Sequence, residues 1–375
     1  MTSLARRWLL AAGLLVQTVA IAPAAGDERL SREPVSLPGG VADPAGRTGF
    51  VSNSKHGIDA LDLETGKVLW STEEASQPLV VLGKHLLAQG PINGKANAVR
   101  VVVLDIGRGK RLLESKPVVF PDWVSVGGGH GRSFASRGRI EAGNLLLTWE
   151  AHAWYAGGAA PTPEMQRLAK HDASGGSRVN LDNGRVEILP SDKVPAAKSA
   201  KLPRELEKAT SQQYWTGSSW ESKPLVVGDR AAALKLEAKG DRQKLALQTW
   251  ELSTGKGREP VTLLEGRSLW TQLSLDRGHV FVHQALAREA LPAGDYAWWV
   301  FSLETGRRVA KLPFEAGTEA VGVLGPRLYY IVQGQNNRVA ERWVQPRTLK
   351  AFELRSGKLV WEHAVEGRTI LVPLP

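Results

Sequence analysis

Short apolar stretches separated by polar turns recur along the whole of this 375-residue chain. In the clearest copy, Ile58–Trp70, a mostly apolar run leads into the turn Glu64-Thr65-Gly66-Lys67, and Val68-Leu69-Trp70 follows it. A strand, a tight turn and a second strand are typical of a β-hairpin. A hairpin repeated at intervals of tens of residues predicts a repeat architecture. The other copies are Leu349–Trp361, Val101–Leu113, Arg178–Ile188, Leu247–Glu259 and Trp298–Ala310.

One position of the turn is glycine in all six copies. A type I turn that is closed by a residue in the left-handed region needs a positive φ there, which glycine adopts at no steric cost. The position four residues before the glycine is polar in every copy, so its side chain is able to tie the turn to its surroundings. The pattern therefore predicts the same turn at Gly66, Gly109, Gly184, Gly255, Gly306 and Gly357.

A second apolar run precedes most copies of the hairpin. Two inner strands and two outer strands make a four-stranded antiparallel sheet, which is one blade of a β-propeller. We therefore predict an all-β fold, a closed β-propeller with six blades as the first choice and seven or eight as alternatives. The runs assigned to inner strands are Pro78–Ala88, Leu145–Trp149, Pro224–Leu236, His279–Val282 and Arg327–Val332.

The first copy resembles the repeat of the quinoprotein-like (PQQ-like) β-propellers, which carry an ALD-x-x-TG-x-x-x-W segment in each blade. Ala60-Leu61-Asp62, Thr65-Gly66 and Trp70 match this segment, and Phe352, Gly357 and Trp361 match it in part. The resemblance implies that the tryptophan docks one blade on the next. It also implies that the middle blades pack differently, because their tryptophan slot holds Leu113, Ile188, Glu259 and Ala310.

The spacing of the repeats predicts the domain organisation. Successive turn glycines are separated by 75 and 71 residues at the two widest intervals, which we assign to insertions near residues 157–176 and 190–214. A degenerate blade inside Phe120–Ala156 is the alternative. Residues 46–375 form the propeller and residues 25–45 an extended linker. The strand at Arg368–Val372 is expected to complete the first blade beside Thr48–Asn53 and to close the ring.

Met1–Ala24 has the three parts of a secretory signal: a basic start, an apolar stretch and small residues for cleavage. We expect an exported protein, periplasmic or secreted, with no membrane span once the signal is removed; retention of the signal as an anchor is the alternative. Zero cysteines exclude disulfides and thiolate metal sites. A net charge of +10 favours an anionic partner such as an envelope polymer over nucleic acid in an exported protein, although solubility alone also explains it.

The enzymes that resemble this repeat are quinone-dependent dehydrogenases, which hold pyrroloquinoline quinone and calcium in the central channel. No metal-ligand set, nucleophile elbow or HExxH pair stands out in the sequence. We therefore expect no catalytic or metal-binding residues and no cofactor, and the sequence does not indicate which residues a cofactor would contact. Pyrroloquinoline quinone with calcium is the alternative cofactor, in an oxidoreductase with an atypical site.

The segment around the glycine-rich run Gly127–Gly131 is the place where the sequence points to a ligand. Its main-chain N–H groups are able to form an anion-binding concavity, with polar and aromatic residues on both sides. A surface loop is the simpler interpretation. The protein is expected to be a monomeric, non-enzymatic scaffold that binds a protein or an anionic polymer, or else a sensor of a small ligand. The candidate loop residues are Asp122, Trp123, His130, Arg132 and Arg137.

Overall fold

The computed structural model describes most of the chain as antiparallel β-sheet. It covers residues 31–32, 34–92, 94–126, 132–153, 172–195, 219–221, 225–227, 230–239, 242–267, 270–276, 278–285, 297–313, 315, 318–335, 337–339 and 342–370. One 3₁₀ helix, Ser191–Lys193, is present within these ranges. All strand pairs in them are antiparallel, and they form six sheets.

The first three sheets are built from consecutive strands, apart from one N-terminal strand. The first sheet contains β2 (Val35–Leu37), β3 (Gly40–Ala42), β4 (Thr48–Ser52), β5 (Ile58–Asp62) and β6 (Val68–Thr72). The second contains β7 (Gln77–Leu82), β8 (His85–Ile92), β9 (Lys95–Asp105), β10 (Arg111–Glu114) and β11 (Val118–Val119). The third contains β1 (Ser31–Arg32), β12 (Arg132–Glu141), β13 (Asn144–Ala153), β14 (Asp172–Asn180) and β15 (Val186–Leu189).

The last three sheets follow the same order. The fourth contains β16 (Ser219–Glu221), β17 (Leu225–Val227), β18 (Arg230–Lys239), β19 (Arg242–Glu251), β20 (Lys256–Gly257) and β21 (Val261–Arg267). The fifth contains β22 (Trp270–Asp276), β23 (His279–Ala285), β24 (Ala297–Ser302) and β25 (Arg308–Pro313). The sixth contains β26 (Thr318–Leu324), β27 (Arg327–Gln333), β28 (Asn337–Val339), β29 (Arg342–Glu353) and β30 (Leu359–Ile370).

The hydrophobic core lies between the faces of neighbouring sheets. Separate buried clusters join the first sheet to the second, the second to the third, the fourth to the fifth and the fifth to the sixth. A further cluster joins the sixth sheet to the first, with Tyr329 and Trp361 against Leu61 and Leu63. The first and last sheets of the described chain are therefore in contact, and the all-β propeller arrangement predicted from the repeat is confirmed. The number of blades in the whole chain stays a prediction.

The six repeated turns have the predicted backbone. The glycine φ angles lie between 65° and 74° in all six copies. In the first copy the N–H of Gly66 donates to the carbonyl oxygen of Asp62 at 2.7 Å. The Asp62 carboxylate accepts the N–H groups of Glu64 and Thr65. The polar position therefore stabilises its own turn, and not a neighbouring one, in this copy.

Three expectations about the chain ends and insertions change. The last strand does not complete the first sheet: Thr369 and Ile370 pair with β29 in the sixth sheet, and β4 pairs with β3 and β5. The ring closes by packing of whole sheets, so no strand is exchanged. Part of the predicted linker belongs to the first sheet, as β2 and β3. Residues 172–176 of the first predicted insertion lie in β14.

Several expectations fall outside the described residues. They include the signal at residues 1–24 and most of both insertions. None of the helices in the described ranges has the length and apolar character of a membrane-spanning helix.

Candidate functional site

A cavity of about 700 Å³ opens where the inner strands of the first three sheets meet. It is lined by Gly40 and Val41 of β3, by Gln77 of β7 and by five consecutive residues of β12, Ala135–Arg139. We call it the inner cavity. β1 pairs with β12 only at Ile140 and Glu141, so among the described residues the edge of β12 beside the cavity has no partner strand. Unpaired edge N–H and C=O groups are able to hydrogen-bond a ligand.

One wall of the inner cavity is fixed by a buried polar pair. The Ser136 hydroxyl donates to Oε1 of Gln89 on β8 at 2.7 Å. Ser136 is 8% exposed and Gln89 is 4% exposed. A buried hydrogen bond of this kind is costly to break because each partner would remain desolvated. The pair therefore holds β12 of the third sheet in register against the second sheet.

The opposite side of β12 gives the cavity its charge. Side chains alternate along a strand, so Arg137 and Arg139 lie on the face away from Ser136. Arg139 donates to the carbonyl oxygen of Pro195 at 2.8 Å and lies 3.9 Å from Glu141. Arg137 is exposed and forms no ion pair with a described residue. Glu150 also lines the cavity, so two guanidinium groups face one carboxylate.

Aromatic side chains pack on the face of the third sheet that carries Ser136, opposite the two arginines. Trp149 on β13 packs against Phe120, with ring centroids 5.1 Å apart, and Phe120 packs against Phe134 at 4.9 Å. A Cβ on Gly175 of β14 would lie 2.8 Å from the Trp149 ring. The absence of a side chain at Gly175 therefore lets the indole lie flat on β14. The lining of the inner cavity therefore includes a well-packed indole from one face of the third sheet and two guanidinium groups from the other.

The predicted loop residues divide between two places. Asp122 and Trp123 follow β11; the Asp122 carboxylate accepts Asn97 Nδ2 at 3.3 Å, and Trp123 packs against the core between the second and third sheets. Arg137 lines the inner cavity. Arg132 begins β12 opposite Ala153. His130 lies outside the described residues, so a partner-binding role for the loop stays a prediction.

Sequence reasoning did not single out Gln89, Ser136, Arg139 or Trp149 as a group. The alternation of side chains along a strand does indicate that Ser136 and the two arginines lie on opposite faces of β12. Nothing in the sequence indicated that residue 89, 47 positions away, hydrogen-bonds Ser136. That contact depends on how two sheets pack.

A second polar network links the first sheet to the sixth. Asp59 on β5 is 8% exposed; its Oδ1 accepts Asn53 Nδ2 at 2.7 Å, and its Oδ2 lies 3.0 Å from Nε2 of His363 on β30. Burial by itself raises the pKa of Asp59. Hydrogen bonds with His363, Asn53 and Ser71, together with the charge of His363, outweigh burial and hold the pKa below its usual value.

Pyrroloquinoline quinone with calcium, the alternative cofactor, would need metal-binding donor groups at one of these sites. Calcium needs six to eight oxygen ligands, which carboxylates mainly provide. Within the described part of the chain, no group of three or more His, Asp or Glu side chains is placed to hold a metal ion. The inner cavity offers one carboxylate beside two arginines. These residues do not fit pyrroloquinoline quinone with calcium, and we derive no step through that group.

Comparison with known proteins gives structural neighbours only. No protein-family model matches the chain, and no curated protein matches it. The solved structures that are similar to it include a europium-containing methanol dehydrogenase, at 11% identity and a TM-score of 0.25, covering 90% of this chain and 73% of that one.

Two further solved structures are also similar to the chain. A quinohemoprotein alcohol dehydrogenase from Comamonas testosteroni is 9% identical with a TM-score of 0.28, covering 91% of this chain and 68% of its own. Saccharomyces cerevisiae Sqt1 is 8% identical with a TM-score of 0.34, covering 90% and 88%. The dehydrogenases belong to the class whose repeat this sequence resembles. At these identities and scores no activity passes from any of them to this chain.

Proposed function

We propose that this chain is an exported, non-enzymatic β-propeller that serves the cell envelope as a binding scaffold, with an anionic ligand or polymer held at the inner cavity. The observation that carries the proposal is the pair Arg137 and Arg139 on one face of β12, on a sheet whose other face is packed by Trp149 and Phe134. Guanidinium groups bind carboxylates and phosphates through paired hydrogen bonds. Arg137 is exposed and without a described ion-pair partner, so its charge is available to a ligand.

The rigidity of the site also supports binding. The Ser136–Gln89 hydrogen bond and the Trp149–Phe120 contact hold β12 and β13 before any ligand arrives. A preformed site costs less conformational entropy on binding than a flexible loop does. The net charge of +10 would draw anionic ligands to the protein at low ionic strength.

The test uses polygalacturonate, an acidic polysaccharide, as the probe. Binding to the protein without residues 1–24 is measured by calorimetry at two salt concentrations. Arg137→Gln should weaken binding by about tenfold, the loss of about 1.4 kcal/mol expected for a charge-assisted contact. Arg108→Gln, at an exposed turn of the second sheet, is the matched control and should change binding less than twofold, roughly within error. Equal effects of the two variants would exclude the inner cavity as the binding site.

An enzymatic role is the competing outcome. The protein is incubated with pyrroloquinoline quinone and calcium and then assayed with a redox dye on alcohols and sugars. Turnover above that of heat-denatured protein would overturn the non-enzymatic proposal. We expect none, because the described donor groups do not fit calcium.

A further inference from the structure

At two junctions between neighbouring sheets, the outer strand of one sheet supplies a tryptophan to the next sheet. Between the first and second sheets this is Trp70, whose indole N–H donates to the carbonyl oxygen of Ile106 at 2.8 Å. Between the sixth and first sheets, Trp361 donates in the same way to the carbonyl oxygen of Leu63 at 3.1 Å. Both acceptors stand three residues before a turn glycine. Each indole therefore finds the same acceptor on the next sheet.

Leu113 holds the equivalent place between the second and third sheets. It pairs with Val103 just after a β-bulge in β10, as Trp70 pairs with Ala60 just after a bulge in β6. The Trp70 ring covers Phe50, with ring centroids 5.7 Å apart. Leucine is smaller than tryptophan and has no N–H donor. The junction therefore lacks both the bulk and the hydrogen bond that Trp70 provides.

A larger cleft lies beside Leu113 than beside Trp70. The space beside Leu113 measures about 910 Å³, against about 630 Å³ for the space beside Trp70 that the corresponding strands and turns enclose. Leu82, Leu113 and Leu181 also pack against the core that joins the second and third sheets, so the cleft is continuous with this interface. We call it the Leu113 cleft. Its apolar lining consists of Leu82, Leu87, Val103, Leu112, Leu113 and Leu181.

The Leu113 cleft is lined by Leu181, which holds the repeat position whose carbonyl accepts an indole at the other two junctions. Leu181 stands three residues before Gly184, as Ile106 and Leu63 stand before their turn glycines. Gly184 itself is covered by main chain, because a Cβ there would lie 2.8 Å from the carbonyl oxygen of Glu114. A bound ring would therefore lie between Leu113 and Leu181 and not over the glycine.

We propose that the Leu113 cleft binds a tryptophan side chain presented by a protein partner, next to the turn that corresponds to those covered by Trp70 and Trp361 at the other junctions. An indole would cover the leucines, and its N–H would reach the carbonyl of Leu181. Leu112 is 55% exposed at the rim and offers apolar surface to the chain on either side of that tryptophan. Tryptophan anchors in such pockets dominate the energy of many protein interfaces. This site is separate from the inner cavity.

The probe is the blocked tripeptide Gly-Trp-Gly with a 5-fluoro indole, observed by fluorine NMR line broadening. Leu112→Glu places a charge at the rim and should weaken binding by about tenfold. The matched control is Leu69→Glu, at the same repeat position of the first sheet and also 55% exposed, where Trp70 already bonds the acceptor on the next sheet. It should leave broadening unchanged. Leu113→Trp fills the cleft from within and should abolish binding while raising the melting temperature.

Other outcomes would overturn the proposal. Equal broadening of a tripeptide in which fluorophenylalanine replaces the indole would show that the N–H acceptor has no role. Binding of free 5-fluoroindole without binding of the tripeptide would make the occupant a small molecule. Dimerisation in the ultracentrifuge that Leu112→Glu abolishes would make it a second copy of the chain. If Leu113→Trp fails to fold, the pair Leu112→Glu and Leu69→Glu still decides the question.

Discussion

The junction between the sixth and first sheets and the junction between the third and fourth sheets differ in what the outer strand offers its neighbour. At the first of these, Trp361 is 8% exposed, and a Cβ on Gly66 would lie 2.5 Å from its ring. The indole N–H also bonds the next turn, and the Asp59–His363 contact crosses the same junction. Indole, glycine and a partly buried contact between carboxylate and imidazole act together there.

The third–fourth junction has none of these contacts among the described residues. No described residue comes within 4 Å of a Cβ built on Gly255, and Ile188 on the outer strand is 61% exposed. No buried cluster of described residues joins the two sheets. The face of the third sheet away from the second carries Arg137, Arg139 and Glu150, which suit a ligand better than a neighbouring sheet.

A β-bulge explains the difference. In β6, β10, β25 and β30 the residue three after the turn glycine is bulged out, so the next residue turns toward the following sheet. β15 has no bulge: Glu187 pairs with Arg178 and Ile188 with Ser177. A shift of one residue moves a side chain to the other face of a strand. Glu187, ion-paired to Arg178 at 2.8 Å, therefore takes the place of the tryptophan.

The largest expected effect concerns the tryptophan slot itself. Trp361→Ala should lower the free energy of unfolding by about 3–5 kcal/mol, because it removes a buried indole and leaves a cavity. Ile188→Ala, at the same position of the repeat, should change it by less than about 0.5 kcal/mol. Guanidinium denaturation of both variants measures the contrast. Similar losses would mean that the third–fourth junction is packed as tightly as the sixth–first.

The turn glycines give a second contrast. Gly66→Ala should cost about 3 kcal/mol, because a positive φ is strained for alanine and the new methyl group overlaps Trp361. Gly255→Ala carries only the backbone strain, about 1 kcal/mol. The same denaturation experiment compares them. The φ angles of 74° and 65° are nearly equal, so any excess at Gly66 measures the docking contact alone. Equal losses of unfolding free energy would show that the contact between Gly66 and Trp361 does not contribute to stability.

The Asp59 network makes the sixth–first junction sensitive to acid. The pKa of Asp59 in the folded protein lies below its usual value. The stabilisation from its ionised form is therefore complete above about pH 4 and is lost as the pH falls through the folded pKa. Asp59→Asn should flatten the decline in unfolding midpoint between about pH 4 and pH 2. Asp192→Asn, which alters an exposed carboxylate in the 3₁₀ helix Ser191–Lys193, away from this junction, is the control. If the unfolding midpoint of Asp59→Asn declines with pH as steeply as that of wild type, Asp59 is not the source of the acid sensitivity.

The smallest effect is expected from placing a tryptophan where the repeat suggests one. Ile188→Trp restores the sequence pattern without the bulge, so its ring should not dock on the fourth sheet. Its unfolding free energy should stay within about 0.5 kcal/mol of wild type. Fluorescence of the new indole, measured against wild type, should show a solvent-exposed emission. A blue-shifted emission with added stability would show that the strand is able to adopt the bulge after all.

The sequence predicted the inner-strand runs and the turn glycines because both depend on local chemistry. Alternation and the need for a positive φ act within a few residues, and all six turn glycines have a positive φ. The prediction for the last strand was wrong, because β30 stays paired with β29 as far as Ile370 and does not pair with the first sheet. Glu259 was likewise assigned to the tryptophan slot, whereas Val261 contacts the next turn at Gly306.

The candidate site was found only in part. Arg137 was chosen for its nearness to a glycine-rich run, and it lies in the inner cavity for a different reason, its position on the inner strand β12. Gln89 and Trp149 come from strands remote in sequence. No local pattern indicates which side chains of separate sheets will share one cavity.

By itself the sequence determined that this chain folds into repeated hairpins, because glycine at the turn and apolar alternation decide each hairpin within a dozen residues. Only the tertiary structure decided which hairpins carry a bulge, and so which side chains face the next sheet. That choice depends on the fit between whole sheets: an indole requires a bare glycine opposite it, and a charged pair requires water or a ligand.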